Sequence, residues 1–369
     1  MTTKLRVAVL MGGNSNEKEI SLDSGRNIFY KLSGNKYQTT PVFVTGQMHL
    51  YQISSAQLVY NSTKEIEQSL SPDQRIGWSD LSSLFDFVFI GLHGGFGENG
   101  AVQGALEMLG IPYNGSSVLA SALCMDKFKT TQFLQSQGFQ VPQSLLVSAQ
   151  QWKANPEIVI NTIMTTFKLP CIIKPHDDGC SVMVHKITHQ DQLAPCLEAM
   201  FASKTHAMVE EFVGGMELTV GVYGNDTVQA LPPSQAIATA GILSIEEKFL
   251  PGAGENQTPA PLPQEALTLV QKTMERVFQT VGCRGYARID CFYQTAQQSP
   301  TGQERVVILE INSLPGMTAA TCLFHQAAEV GMRPHEFIEL IIQLGLQEHG
   351  KETGIVHKAP LTVQNTPII

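Results

Sequence analysis

The sequence predicts an α/β chain that turns α+β beyond residue 139. Three observations carry that expectation: the length, the alternation of short apolar runs with helical patterns in the first part, and strand-like runs separated by Gly- and Pro-containing loops in the rest. At 369 residues the chain exceeds one compact core at roughly 100–200 residues per domain, so two or three domains are expected. Hydrophobic residues make up 43% and charged residues 15%, which excludes disorder and collagen-like sequence.

Residues 6–11 are an apolar run that reads as a buried strand. Gly12-Gly13-Asn14-Ser15 follows as a tight turn with N-cap candidates, and residues 17–32 have helical spacing. Residues 42–44 and 85–92 read as further strands, the second running into HGGFGENG at 93–100. The helix after it carries Val102, Ala105, Leu106 and Leu109 on one face. A second amphipathic stretch, 117–137, contains Met125-Asp126-Lys127 and ends at Gly138. Beyond it, residues 171–175, the Gly-containing loop 176–181 and residues 182–187 together predict a hairpin. Strands are expected at 208–213 and 218–223. The segment 241–262 is rich in Gly, Pro and polar residues, and its length points to a mobile lid. Residues 264–281 predict an amphipathic helix, 286–293 and 305–312 two strands, and two helices close the chain before a frayed tail at 351–369.

Composition narrows the partners. With 24 basic and 33 acidic residues the formal charge is −9, and no Lys/Arg block supplies phosphate-backbone affinity, so nucleic acid is excluded as the expected partner. The seven cysteines are scattered and lack a C-x-x-C, suggesting neither a disulfide framework nor a zinc site, and fit a reducing cytoplasm. Lys4 and Arg6 precede only the short apolar run 7–11, too little for a signal segment or a membrane span.

The strongest chemical signal lies in the two late strands. In Arg288-Ile289-Asp290 and Glu310-Ile311-Asn312 the polar residues are two apart, so each pair points from one face of its strand. Two neighbouring carboxylates call for positive compensation, and a hard cation such as Mg²⁺ supplies it. The alternative is a surface ion-pair lattice around Arg288, against which the apolar run 306–309 argues. Lys174 ends a buried-looking strand, where an ammonium must snorkel or meet an anion, and the loop 177–181 offers backbone N–H groups to phosphate oxygens. Lys127 on an amphipathic helix reads equally as a solvated side chain. Gly12-Gly13 before a helix suggests an anion site but lacks the dinucleotide spacing. His93-Gly94-Gly95 is an active-site loop or a turn with a bonded histidine.

Taken together these segments resemble the D-alanine–D-alanine ligase family of ATP-grasp enzymes. The matching motifs run in order: VLMGGNSNEKEISLDSG at 9–25, LHGGFGENGAVQGALEMLGIPYNGSS at 92–117, MDKFKT at 125–130, IIKPHDDGCSV at 172–182, VEEFVGGMELTVGV at 209–222, RIDCF at 288–292 and EINSLPGMT at 310–318. The resemblance implies an ATP-grasp fold: a Rossmann-like N-terminal domain (1–125), a central subdomain (126–215) and a C-terminal subdomain (216–350) with the lid at 241–262. It implies an ATP-dependent carboxylate–amine ligase that forms D-alanyl-D-alanine through an acyl phosphate, as a cytoplasmic homodimer serving peptidoglycan synthesis. By motif, Asp290, Glu310 and Asn312 would hold two Mg²⁺ (or Mn²⁺) ions. Lys127, Lys174 and Lys248 would contact phosphates. Glu210 and Glu217 would bind the adenine amino group and ribose, with the backbone of Glu211 and Val213 beside the base. Glu17 would take the first ammonium with His93 nearby, and Arg288 and the Gly316 N–H would stabilise the oxyanion.

Three departures fall near the substrates. The family's Ser-Ser is Cys180-Ser181 here, its lid Lys-Tyr is Lys248-Phe249, and its Ser-Leu is Thr321-Cys322. Glu17 would then face a weak thiol donor and a phenyl ring in place of two hydroxyls. Since family members with Phe in the lid tend to form D-alanyl-D-lactate, a second substrate other than D-alanine is an open alternative. So are another carboxylate–amine ligase and an ATP-binding protein without turnover.

Overall fold

The computed structural model describes residues 4–177, 183–237 and 255–350. Three sheets organise them. The first holds β1 (Leu5–Gly12), β2 (Tyr37–Val44), β3 (Leu50–Gln52), β4 (Arg75–Ile76) and β5 (Phe87–Ile90), in the order β4-β3-β2-β1-β5. β1 pairs in parallel with β2 and β5, whereas β3 and β4 extend the edge antiparallel. Its apolar residues 7–11 are fully buried, as a central strand covered on both faces requires. Gly12 ends the strand at φ +97°, and a β-carbon there would stand 2.5 Å from the Val44 carbonyl. Close packing on β2 thus accounts for this glycine without an anion.

The second sheet is antiparallel, in the order β6-β9-β7-β8: β6 (Ser144–Ser148), β7 (Cys171–Lys174), β8 (His185–Ile187) and β9 (His206–Glu211). β7 and β8 are the arms of the expected hairpin, with Cys171 opposite Ile187. The third sheet contains β10 (Met216–Gly224), β11 (Val228–Ala230), β12 (Ser234–Ile237), β13 (Glu255–Gln257), β14 (Gly285–Gln294) and β15 (Arg305–Asn312). Its order is β13-β12-β10-β14-β15, all antiparallel, with β11 also on β10. Part of the expected lid, 255–257, is therefore strand; residues 238–254 lie outside the described residues.

The helix Gln264–Val281 spans the residues its periodicity predicts and buries Val270, Met274, Val277 and Phe278 in one cluster with Leu218, Val220, Ile289 and Cys291. The expected single stretch 117–137 is instead two helices, Val118–Met125 and Lys127–Ser136. Asp126 separates them in an extended conformation and accepts from the Lys129 N–H at 2.9 Å. An aspartate satisfying a free helix N–H outweighs continuous apolar spacing here.

The two ends of the described chain share a core. Phe337, Ile338, Ile341 and Ile342 of the helix Pro334–Glu348 pack in one cluster with β1 and β5, and Lys36 pairs with the buried Glu339 at 2.6 Å. Among the described residues no helix is long and apolar enough to cross a membrane.

Candidate active site

The third sheet has one apolar face and one polar face. Leu218, Val220, Ile289, Cys291, Val306, Ile308 and Ile311 belong to the cluster under the helix Gln264–Val281. Alternation then turns Glu217, Thr219, Gly221, Arg288 and Asp290 to the opposite face. In β15 alternation alone would fail, because Ile308 and Glu310 would share a side. Asp290 pairs with Glu310 but Cys291 pairs with Ile308, so Leu309 is an extra residue. This bulge reverses the parity of the strand and sends Glu310 and Asn312 to the polar face while Ile311 stays in the core. The register then sets Thr219, Asp290 and Glu310 in one row and Gly221, Arg288 and Asn312 in the next.

Arg288 binds Asp290 in a fork, Nε to Oδ1 and Nη2 to Oδ2, each at 3.0 Å. Thr219 donates its hydroxyl to Asp290 Oδ1 at 2.7 Å. The Arg288 and Asp290 side chains are only 12% and 11% exposed, so the predicted cluster is an interior one and the surface lattice is excluded. Burial alone would lower the Arg288 guanidinium; the attraction of Asp290 and Glu310 outweighs it and holds the group further above its ordinary value. Lys127 enters from the start of its helix and pairs with Glu310 at 3.1 Å. Burial draws this ammonium down, but Glu310, Glu17 and Glu98 together raise it. The lysine is therefore an enclosed, ion-paired side chain, not a solvated one. Its backbone N–H bonds the His176 carbonyl at 2.7 Å, which ties the helix to the chain just past Lys174.

On the second sheet Lys174 and Glu210 form an ion pair at 2.6 Å, with side-chain exposures of 10% and 6%. Glu210 Oε2 is buried without a hydrogen-bond partner among the described residues. Such an acceptor is costly unless a donor arrives. An open cavity of about 440 Å³ is lined by residues 211–215 together with Gln294, Gln298, Pro300 and Arg305. It lies within the size range of small-molecule sites. Glu217 stands on the same polar face as Thr219.

Glu17 sits at the head of the first helix, Lys18–Lys31. Gly94, at φ +64°, lies so near Glu17 Oε2 that a β-carbon there would collide with it, so the two sequence motifs of the first sheet meet. His93 is buried with both ring nitrogens engaged, Nδ1 with the Leu314 carbonyl at 3.0 Å and Nε2 with Ser24 Oγ at 2.8 Å. Gly316 is in the loop after β15. Thr321 precedes the helix Cys322–Glu329 and is 7% exposed. The Cys322 thiol lies against Thr219 and Arg288; burial raises it and the arginine only partly offsets that, leaving a neutral thiol at ordinary pH. Cys180, Ser181, Lys248 and Phe249 lie outside the described residues. Sequence reasoning passed over Thr219 and Glu98. The first is a polar break in the apolar run 218–223; the second lies inside the HGGFGENG motif at 93–100.

Asp290, Glu310 and Asn312 are an oxygen-donor set of two carboxylates and one amide. Among the described residues no three of His, Cys, Asp or Glu converge, so any ion here would rest on two carboxylates, an amide and groups from a substrate. Mg²⁺ characteristically uses one or two carboxylates together with substrate phosphates. The Asn312 amide nitrogen is buried without a partner among the described residues; turned over, the same amide offers its oxygen to a cation. The residues fit such an ion.

Carboxylates for a hard cation, paired with Lys127 and Arg288, are the equipment of an enzyme acting on phosphorylated substrates. Residues 6–116 match the family model described as D-ala D-ala ligase N-terminus, and residues 133–343 match D-ala D-ala ligase C-terminus. The chain thus belongs to the D-alanine–D-alanine ligase family, ATP-dependent ligases of ATP-grasp fold. The D-alanine–D-alanine ligase of Chlorobaculum tepidum is 31% identical over 373 residues, covering 96% of this chain and 100% of that protein. That of Desulforudis audaxviator is 33% identical over 340 residues, covering 92% and 98%. Among solved structures, the D-Ala:D-Ser ligase VanG of Enterococcus faecalis matches with a TM-score of 0.79 at 27% identity, over 93% of this chain and 99% of that one. The Bacillus anthracis D-alanine–D-alanine ligase complexed with ATP matches with a TM-score of 0.70 at 26% identity, over 95% and 100%.

Proposed function

We propose that the chain joins two D-alanine molecules at the cost of ATP, working as a cytoplasmic homodimer that supplies peptidoglycan precursors. The observation that carries this reading is the convergence of Arg288, Asp290, Glu310 and Asn312 on one sheet face with Lys127 against Glu310. Lys127 and Lys174 hold the phosphates of ATP, with Lys248 from the lid. The orphaned Glu210 oxygen accepts the adenine amino group, Glu217 takes the ribose, and the base lies along the backbone of Glu211 and Val213. Mg²⁺ ions at Asp290, Glu310 and Asn312, two by family likeness, would neutralise the phosphate charge.

Glu17 holds the ammonium of the first D-alanine so that its carboxylate oxygen meets the γ-phosphorus; the bond to the ADP oxygen breaks and an acyl phosphate forms. The second amine adds to the acyl carbon and gives up a proton. The resulting oxyanion is held by Arg288 and the Gly316 N–H, donors of a kind worth about 3–4 kcal/mol of barrier. It then collapses, expelling phosphate. Positioning and charge neutralisation supply most of the acceleration.

A second reading, with D-lactate or D-serine as the second substrate, draws on Cys322 and Phe249. The uncharged thiol beside Arg288 replaces the family's Leu, and Phe249 replaces a lid hydroxyl. ADP formation tests both readings together. D-alanine alone is expected to support full turnover, with dipeptide as product. Turnover that needs D-lactate or D-serine selects the second reading, and ATP binding without ADP release under every substrate overturns both.

A further inference from the structure

The loop that carries Gly316 is held from the opposite end of the sequence. Helix Lys18–Lys31 places Ser24 and Asn27 one turn apart on one face. Ser24 Oγ accepts from the Met317 N–H at 3.0 Å, and the Asn27 amide donates to the Met317 carbonyl at 2.7 Å. Both polar groups of one loop residue are thus fixed by one helix. On the other side of Gly316, the Leu314 carbonyl contacts His93 Nδ1. That carbonyl can only accept, so in the neutral ring Nδ1 carries the proton and Nε2 accepts from the Ser24 hydroxyl. A single directed chain runs from the Met317 N–H through Ser24 and His93 to the Leu314 carbonyl. Leu314 and Met317 are completely or almost completely buried, while the buried Gly316 N–H between them has no protein acceptor among the described residues.

We propose that Ser24, Asn27 and His93 are positioning residues that aim the Gly316 N–H at the developing oxyanion. The proposal rests on the ligase reading above. It also assigns His93 a role different from substrate contact, since both its nitrogens are committed to the clamp. Glu17, at the start of the same helix, holds the first amino acid. The helix therefore sets the distance between the bound substrate and the donor that stabilises its transition state. An oriented donor is useful only within a fraction of an ångström, and a misplacement of about 1 Å can cost on the order of a hundredfold in rate.

Ser24→Ala and Asn27→Ala separate this role from a merely structural one. Each is assayed for ligation turnover, for KM of ATP, and for bridge-to-nonbridge oxygen exchange in heavy-oxygen-labelled ATP with D-alanine, which reports reversible acyl-phosphate formation. The clamp acts on the second step, so ligation is expected to fall roughly tenfold to a hundredfold while KM for ATP and oxygen exchange stay within about twofold. Ligation within about twofold of the parent in both variants overturns the proposal, as does an equal fall in ligation and exchange. If Ser24→Ala fails to fold, Asn27→Ala, at a half-buried position, decides alone. Failure of the unmodified chain to ligate at all is a different outcome: it removes the ligase reading, and the clamp's catalytic role with it.

Discussion

Lys174 and Glu210 meet within one sheet at 2.6 Å, whereas Lys127 and Glu310 meet at 3.1 Å between a helix start and a strand of another sheet. The first pair is the more enclosed, and both its partners stand on adjacent strands whose register is fixed along four residue pairs. The second depends on the bulge at Leu309 and on the hydrogen bond from Lys127 to the His176 carbonyl. The contrast separates a strut from a provisional neutralisation. Glu210, while paired, still has an oxygen without a partner among the described residues, whereas on the proposed reading Glu310 would have to exchange its lysine for a metal ion. On that reading the Lys127–Glu310 pair would hold two opposite charges in place until metal and phosphate separated them.

The largest expected effect lies with the second pair. Glu310→Gln keeps the shape but removes a carboxylate proposed to hold the metal, and ADP formation at saturating substrates is expected to fall on the order of a thousandfold, about 4 kcal/mol of barrier. A loss under about tenfold would place the metal elsewhere. Stability should show the reverse order. Lys174→Met leaves the Glu210 carboxylate buried and unpaired, at a cost of about 3–5 kcal/mol by denaturant midpoint, and Lys127→Met should cost clearly less. Equal losses would erase the distinction between strut and provisional pair.

The smallest effect is a matter of pH. The Lys127 ammonium is raised in the folded chain, so its contribution to stability is complete below the ordinary lysine value of about 10.4 and is lost as pH rises through the higher folded value. Lys127→Met should therefore flatten part of the alkaline decline seen in thermal melts. An unchanged decline would mean that Glu310, Glu17 and Glu98 do not hold the charge.

Much of this site was legible before any fold was known. The two-residue spacings in RID and EIN put four polar groups on strand faces, and the helix Gln264–Val281 followed from period alone. The bulge was not foreseen, although Val306, Ile308 and Ile311 carry its trace as a break in parity. The Asp126 capping signal was present too, but continuous apolar spacing hid it. Lys127 was ambiguous because its partner lies far along the chain, and no local pattern reports a contact of that kind. Ser24 and Asn27 gave no sign at all. A serine and an asparagine on an amphipathic helix look like any small polar residues until the loop they hold is folded against them.

The shared core of the chain's two ends also bears on how the protein is made. Lys36 and Glu339 are 303 residues apart, so at about 5–20 residues per second the ribosome supplies the second roughly 15–60 s after the first. Throughout that interval the apolar residues of β1 and β5 lack the helix Pro334–Glu348 that packs in their cluster. The nascent first domain must wait with part of its interior uncovered, which makes synthesis, more than the finished enzyme, the stage most exposed to aggregation.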